Sequence, residues 1–345
     1  MGTRRKKAVS KTWLEGDDEM HNADHFLDRL TMLYGSTKTG KTIYTRQIMH
    51  TIGDRIPEVS VFTGTAKNYP FIEAPYIHEK VDVKKLEQIW ARQGAKTEAY
   101  LRANKLVTLQ RLAARVPSPR VTHFEALLLA ERQRVVRENL PIREVMEERI
   151  DTMLNHVYKV HIRNCIRMLH RFNLSDDELF ALNNRNLNPR HLIVFDDVTA
   201  SLKRLQKREV IQDMFYAGRN RFLTIIIGIH DDKLLDSELR KNAHVSIFMT
   251  PNIMRMFFKR DCMGVDPEVQ VLAQHACAHE ESFSSFHKII YFRDRRASEG
   301  PLVRTLAERY EDLTFGSAEF HAFGREVMKH GTARVDNVFT EEYGL

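Results

Sequence analysis

The sequence predicts an α/β fold with a central, mainly parallel β-sheet flanked by helices and a large helical insertion. Short apolar runs rich in β-branched residues alternate with segments of helical spacing, and this alternation favours a parallel sheet with right-handed crossovers. A long internal stretch, residues 82–189, instead repeats its apolar residues at helical intervals only. At 345 residues the chain exceeds the usual size of a single domain, so we expect one large domain with an insertion, or two domains.

The predicted strands are separated by the insertion into two groups. The first group is 30–34 and 58–62, and the second is 191–195, 223–229, 245–249 and 288–292. Helical spacing predicts helices over 41–52 and 201–217. We therefore divide the chain into a basic polar extension (1–28), a core (29–81 and 190–295), the helical insertion (82–189) and a polar C-terminal tail (296–345).

Composition excludes some classes of protein and favours others weakly. No apolar run approaches the roughly 20 residues that a membrane span needs, so no membrane partner is expected. The basic N-terminus lacks the apolar stretch of a secretory signal, and Lys6 stands where a myristoylation site needs Ser or Thr. Three widely spaced cysteines indicate a reducing compartment. The net charge of +7 gives weak support to a polyanionic partner.

One pattern suggests a metal site but does not predict one. His275, Cys277 and His279 alternate along a segment, 266–280, that has helical spacing. Alternate residues of a helix point to different sides, so these three side chains cannot readily share one ion. A packed helix that carries polar residues is the preferred interpretation.

A phosphate-binding loop follows the first predicted strand. The segment matches G-x-x-x-x-G-K-[ST] at every fixed position and consists of Gly35, Ser36, Thr37, Lys38, Thr39, Gly40, Lys41 and Thr42. A glycine-hinged loop of this length wraps its N–H groups around a β-phosphate, and the following helix adds its positive end. Lys41 is expected to reach the β- and γ-phosphates of ATP, and the Thr42 hydroxyl to bind Mg²⁺. The strand before it and the helix after it make an incidental match improbable. The predicted fold is thus that of a RecA-like (ASCE) P-loop NTPase.

Two carboxylates follow the apolar strand 191–195. At the carboxyl end of a parallel strand beside the P-loop strand, Asp196 is expected to hold Mg²⁺ through water. Asp197 is then placed to act as the general base for the attacking water. The alternative is a strand that ends in a helix N-cap, since aspartate is a good cap.

Four further residues are candidates for contacts to the γ-phosphate. His230 ends the strand 223–229, where a sensor residue stands in P-loop ATPases with an extra strand between the two motif strands; alternatively it caps the following loop. Arg219, Arg221 and Arg240 each precede a predicted strand, and Arg219 and Arg240 are expected near the nucleotide edge of the sheet. One of the three is expected to act as an arginine finger across a subunit boundary. Each is also consistent with an ordinary surface arginine.

The ordered set of motifs resembles the genome-packaging ATPases of large DNA viruses, the poxvirus-type branch of the FtsK/HerA superfamily. The resemblance covers roughly 29–82 and 190–250. It is carried by the P-loop and by four further segments: Ala66-Lys67-Asn68-Tyr69-Pro70, Val194-Phe195-Asp196-Asp197, Ala217-Gly218-Arg219 and Leu239-Arg240-Lys241-Asn242. Two features depart from the family: Ile229-His230 stands where Thr-Gln is usual, and the insertion is long.

The resemblance implies an ATP- and Mg²⁺-dependent motor that forms a homo-oligomeric ring and translocates double-stranded DNA into a capsid. It also implies a capsid vertex protein as partner, and a location in the host cytoplasm, the viral factory or the virion. The basic insertion would supply phosphate contacts, which read no sequence, or the dock to the capsid. A helicase or other nucleic-acid-stimulated ATPase, a small-molecule kinase and a non-enzymatic nucleotide-binding scaffold are the alternatives.

Overall fold

The fold is that of a computed structural model of the chain. It describes residues 14–53, 55–103, 106–138, 143–167, 188–230, 235–260, 263–278, 283, 287–310, 312–317, 320–321 and 325. The chain divides into two compact units. The core unit comprises Met1–Gln93 and Arg190–Thr332, and the inserted unit comprises Gly94–Pro189 and Ala333–Leu345.

The described part of the core unit contains one nine-stranded sheet. Its strands are β1 (Leu14–Glu15), β2 (Leu30–Tyr34), β3 (Glu58–Thr63), β4 (Ile77–His78), β5 (His191–Asp196), β6 (Leu223–Ile229), β7 (Val245–Phe248), β8 (His287–Phe292) and β9 (Leu302–Leu306). They lie in the order β1-β9-β8-β7-β2-β6-β5-β3-β4. Every pair is parallel except β7–β8 and β8–β9. The predicted mainly parallel α/β fold is confirmed.

Helices flank both faces of this sheet. Those of the core unit are α1 (Asp17–His21), α2 (Lys41–Ile52), the first part of α3 (Val83–Ala103), α7 (Thr199–Leu205), α8 (Glu209–Ala217), α9 (Ser237–Lys241), α10 (Pro251–Phe258) and α11 (Pro267–Ala278). The predicted continuous helix over 201–217 is wrong, because α7 ends at Leu205 and α8 begins at Glu209. No metal-binding group of three His, Cys, Asp or Glu side chains occurs among the described residues; His279 lies outside them.

The central strands are buried on both faces because each face is covered by helices. Met32 and Tyr34 of β2 pack on one side, in a cluster with residues of α8, α10 and α11. Leu33 faces the other side and packs with α2 through Tyr44 and Ile48. All residues of β2, β5 and β6 are buried, as expected for central parallel strands.

The sheet extends beyond the predicted strands at both edges: β9 and then β1 lie beyond β8, and β4 lies beyond β3. β1 lies in the predicted extension and β9 in the predicted tail, so the prediction that the sheet ends at 288–292 is wrong. β9 is short, follows Pro301 and joins the sheet antiparallel to β8. Its sequence, Leu302-Val303-Arg304-Thr305-Leu306, is neither a continuous apolar run nor a regular alternation, so it does not indicate a strand by itself.

The inserted unit is helical where it is described. It contains the remainder of α3, then α4 (Leu106–Ala114), α5 (Pro119–Arg137) and α6 (Arg143–Arg167). Leu109, Leu112, Ile150 and Leu154 lie in its small apolar core, which α4 and α6 share. No helix in the described part of the chain is both long and apolar enough to span a lipid bilayer.

Candidate nucleotide-binding site

The P-loop connects β2 to α2 at the carboxyl edge of the sheet. The Gly35 N–H donates to Ile229 O at 2.9 Å, which ties the start of the loop to the end of β6. A Cβ at Gly35 would lie 2.6 Å from the Met249 side chain, so only glycine fits there. Lys38 and Gly40 have positive φ values of 65° and 100°, and α2 begins directly afterwards at Lys41. The loop therefore curls over the N-terminus of a helix, the arrangement that binds phosphate.

Lys41 is held inside this loop. Its side chain is buried, and its Nζ donates to Gly35 O at 2.7 Å and to Ser36 O at 2.9 Å. Burial lowers the pKa of Lys41, while the nearby Asp197 and Asp196 carboxylates raise it in opposition. A partly desolvated ammonium that is held by backbone carbonyl oxygens interacts strongly with a phosphate that enters the loop.

Asp196 ends β5 next to Thr42. Thr42 Oγ1 donates to Asp196 Oδ2 at 3.2 Å, so the two predicted Mg²⁺-binding groups are adjacent. Burial raises the pKa of Asp196; a hydrogen bond from Tyr69 counteracts that rise and the neighbouring Asp197 adds to it. Mg²⁺ takes oxygen ligands, commonly one or two protein groups with water and phosphate. Thr42 and Asp196 supply a donor set of this kind.

The strand that carries Asp196 is not the neighbour of the P-loop strand, and that part of the prediction is wrong. β6 lies between β2 and β5, and it pairs with both in parallel register. This is the order expected for the ASCE class, in which an extra strand separates the two motif strands. The alternative of a helix cap also fails, because α7 begins at Thr199 with Val198 as its N-cap residue.

The His230 ring lies between Lys41 and Asp197 and contacts both. Its Nε2 lies 3.0 Å from Asp197 Oδ1, and its Nδ1 lies 3.4 Å from Lys41 Nζ. Because the ammonium can only donate, Nδ1 accepts, and the neutral ring then donates its Nε2–H to Asp197. His230 and Asp197 are each about a third exposed, at 36% and 35%. They are accessible to a water molecule beside the phosphate loop.

Tyr69 and Gly228 also belong to the site, although no catalytic or binding role is predicted for either. The buried Tyr69 hydroxyl donates to Asp196 Oδ2 at 2.9 Å, and burial holds the pKa of this phenol well above its usual range. A Cβ at Gly228 would lie 3.1 Å from Asp196 Oδ1 and 3.6 Å from Lys41 Cε. A glycine inside an apolar strand signals such a close approach. Nothing in the local pattern around Tyr69 indicates that its hydroxyl reaches a strand distant in sequence.

We expect Tyr69→Phe to raise the Mg²⁺ concentration for half-maximal ATP turnover by about 10-fold or more. The change keeps the ring but removes one of the two donors that orient Asp196, and hydrogen bonds to charged groups are worth about 1.5–3 kcal/mol. Calorimetric binding of ADP should weaken similarly with Mg²⁺ present and stay unchanged without it. Tyr76→Phe, which removes a hydrogen bond to Phe320 O, is the matched control. An equal Mg²⁺ dependence in both variants would show that Tyr69 only packs.

The candidate arginines lie at the opposite edge of the sheet, so their predicted position near the nucleotide edge is wrong. β6 and β7 run parallel to β2, and residues that precede them therefore lie at the amino edge. Arg221 donates to Trp90 O at 2.9 Å and stacks on the Trp90 ring. Arg240 is buried and donates to Leu235 O. Arg219 is exposed, and its role as an arginine finger stays a prediction.

Several proteins are similar to the chain in sequence or in structure. No family model matches it. Among solved structures, the genome packaging NTPase B204 of Sulfolobus turreted icosahedral virus 2 has 12% identity and a TM-score of 0.39, over 82% of this chain and 97% of B204. The bacterial conjugative coupling protein TrwB has 12% identity and a TM-score of 0.42, over 92% and 97%.

The P-loop, the strand order and the paired carboxylates define the class: the chain is a P-loop NTPase. Protein B354L of African swine fever virus, known only as an uncharacterized protein, is 31% identical over 289 residues in the Kenyan isolate KEN-50. The match covers 79% of this chain and 80% of B354L, and the Namibian isolate Wart80 gives 30% over the same length. The chain belongs to the B354L family.

Proposed function

We propose that this protein is an ATP-hydrolysing motor of the FtsK/HerA superfamily that translocates double-stranded DNA into a viral capsid. The observation that carries the hydrolytic part is the meeting of Lys41, Thr42, Asp196 and Asp197 at one edge of the sheet. The ordered motifs that resemble packaging ATPases and the net charge of +7 support DNA as the partner.

The residues of the site can perform the hydrolytic steps in sequence. The N–H groups of the P-loop bind the β-phosphate, and Lys41 Nζ exchanges its carbonyl partners for phosphate oxygens. Mg²⁺, when bound, supplies Lewis-acid stabilisation of the phosphates, and Thr42 and Asp196 would hold it. Asp197 accepts the proton of the attacking water. His230, which links Lys41 to Asp197, then reports whether the γ-phosphate is present.

The proposal predicts that duplex DNA raises ATP turnover several-fold, and more strongly at low salt, since phosphate contacts release counterions. ATP turnover should be measured with duplex DNA, single-stranded DNA, RNA and no nucleic acid, each at two salt concentrations. Preference for single strands would favour a helicase. Turnover that no nucleic acid changes, together with phosphoryl transfer to a small acceptor, would favour a kinase.

The same proposal includes a homo-oligomeric ring. The nucleotide site lies at the carboxyl edge of the sheet and Arg219 at the amino edge, so a head-to-tail ring would bring one subunit's Arg219 towards the next subunit's nucleotide. Turnover per subunit should then rise with protein concentration. Mixing Arg219→Ala with Lys41→Ala subunits should restore part of the activity. A rate per subunit that stays flat on dilution, with no rescue on mixing, would contradict the ring.

The remaining partners follow from the packaging role. A capsid vertex protein would receive the motor, and the protein would act in the host cytoplasm or viral factory, or be carried in the virion. Co-purification with capsids, lost on deletion of 94–189, is the expected result if the inserted unit is the dock.

A further inference from the structure

A second cleft opens at the amino edge of the sheet, on the side opposite the P-loop. It has a volume of about 360 Å³ and lies beneath the starts of β2, β6 and β7. Its floor is apolar and includes Leu30, Phe215 and Leu223. Four cationic side chains line it: Arg29, Arg219, Lys241 and Arg293.

The carboxylates of this cleft are already ion-paired. Asp28 accepts two hydrogen bonds from Arg190 Nε at 3.0 Å and one from Nη2 at 2.9 Å. Asp294 accepts from Arg29 at 2.7 Å. Lys241 in turn donates to Glu238 at 2.8 Å, outside the cleft lining. These pairs leave Arg219 and Arg293 as cations without a carboxylate among the described residues.

Arg293 carries unsatisfied donors. Its Nη1 donates to Met263 O at 3.2 Å, but Nε and Nη2 are buried and have no hydrogen-bond partner within the described part of the chain. An unpartnered buried donor destabilises the fold, and more strongly when the group is charged. This destabilisation is offset when the Arg293 side chain turns these donors towards an anion in the cleft.

The pKa of the neighbouring His244 is affected by the same cluster of positive side chains. Its pKa is lowered by burial, then by Arg29 and Arg219, with Arg293 adding to the effect and Asp294 opposing it. The Leu30 N–H points at His244 Nδ1 across 3.5 Å, so the neutral ring carries its proton on Nε2. His244 lines the cleft, and its Nε2–H is a further hydrogen-bond donor for an anion.

We propose that this amino-edge cleft is a second anion site that takes a phosphate group, held by Arg293 and Arg219. The unsatisfied guanidinium donors, the paired carboxylates and the concave shape all favour a compact anion with several acceptor oxygens. Two sources share this chemistry: free phosphate or a phosphate ester in solution, and the terminal phosphate of a nucleotide bound by a neighbouring copy. The first source does not depend on the proposed function; the second depends on the ring.

The first arm of the test measures thermal unfolding of the full-length Lys41→Ala chain, in which phosphate binding at the P-loop is weakened. Inorganic phosphate is titrated against chloride at constant ionic strength and low protein concentration. We expect the Tm to rise by about 2 °C at ten times the Kd. Adding Arg293→Met should remove this rise, and Arg219→Met, at an exposed position that folding does not require, should at least halve it. Arg208→Met, an exposed arginine outside the cleft, should leave it unchanged.

The second arm uses chains with Lys41 intact and compares turnover per subunit in dilute and concentrated protein. If the phosphate comes from a neighbouring copy, Arg293→Met loses the rise of turnover with concentration, while Arg208→Met keeps it. If the source is free phosphate, only the first arm responds to Arg293→Met. The proposal is overturned if Arg293→Met and Arg219→Met behave like Arg208→Met in both arms.

Discussion

Replacing Lys41 with alanine should reduce ATP turnover by about 100-fold or more. Lys41 Nζ is the buried cation inside the loop, fixed by Gly35 O and Ser36 O. Lys38, the other lysine of the loop, is exposed, so it does not replace the buried Lys41. Lost phosphate clamps cost orders of magnitude in rate. The measurement is steady-state phosphate release under saturating ATP and Mg²⁺.

The matched control for this change is Lys203→Ala, which removes an exposed lysine of α7. It should keep turnover within about 2-fold of the wild type, since isolated surface substitutions rarely matter. Circular dichroism of both variants should match the wild type. If Lys41→Ala retained more than about a tenth of the activity, the assignment of the P-loop as the catalytic phosphate site would be wrong.

The two adjacent carboxylates, Asp196 and Asp197, should show different functional effects when each is changed to its amide. Asp197→Asn should keep ATP binding but reduce hydrolysis by about 100- to 1000-fold, because an amide cannot accept the water proton. Its carbonyl oxygen can still accept from His230 Nε2, so the loop geometry is preserved. Asp196→Asn should instead weaken Mg²⁺-dependent ATP binding by about 10-fold or more, because the metal loses a charged ligand.

Two measurements separate these effects. Equilibrium binding of a fluorescent ATP analogue, with and without Mg²⁺, reports on ATP binding, and single-turnover rates report on hydrolysis. Binding that is intact in Asp197→Asn and lost in Asp196→Asn is the expected pattern. The reverse pattern would mean that the roles of Asp196 and Asp197 are exchanged.

The central strands and the P-loop were predictable because their signals are local. Full burial on both faces requires continuous apolar runs, as in β5 and β6, and the P-loop motif has fixed spacing. The edge strands β1, β4 and β9 were not predicted. β1 and β4 contain only two residues each. β9, which follows the proline at 301, is neither a continuous apolar run nor a regular alternation, so no strand period can be recognised in any of the three.

Spatial order was harder to predict than strand identity. That β6 separates β2 from β5 is decided by packing between residues far apart in sequence. The predicted position of the arginines is wrong for a related reason. Arg219 and Arg240 precede strands, and in a parallel sheet the residues before a strand lie at the edge opposite the P-loop. Tyr69 lies in one of the segments that carry the resemblance, but its role is not predicted because its hydroxyl reaches Asp196 across 127 residues of sequence.

We propose that ATP hydrolysis at the P-loop moves this protein along duplex DNA. The most direct measurement is displacement of a fluorescent third strand from a triplex, placed beyond a length of duplex on which the protein loads. We expect ATP-dependent displacement that increases with time, requires the duplex arm, and is absent with Lys41→Ala or a non-hydrolysable ATP analogue. ATP turnover without any displacement, at a rate that duplex DNA does not change, would contradict it.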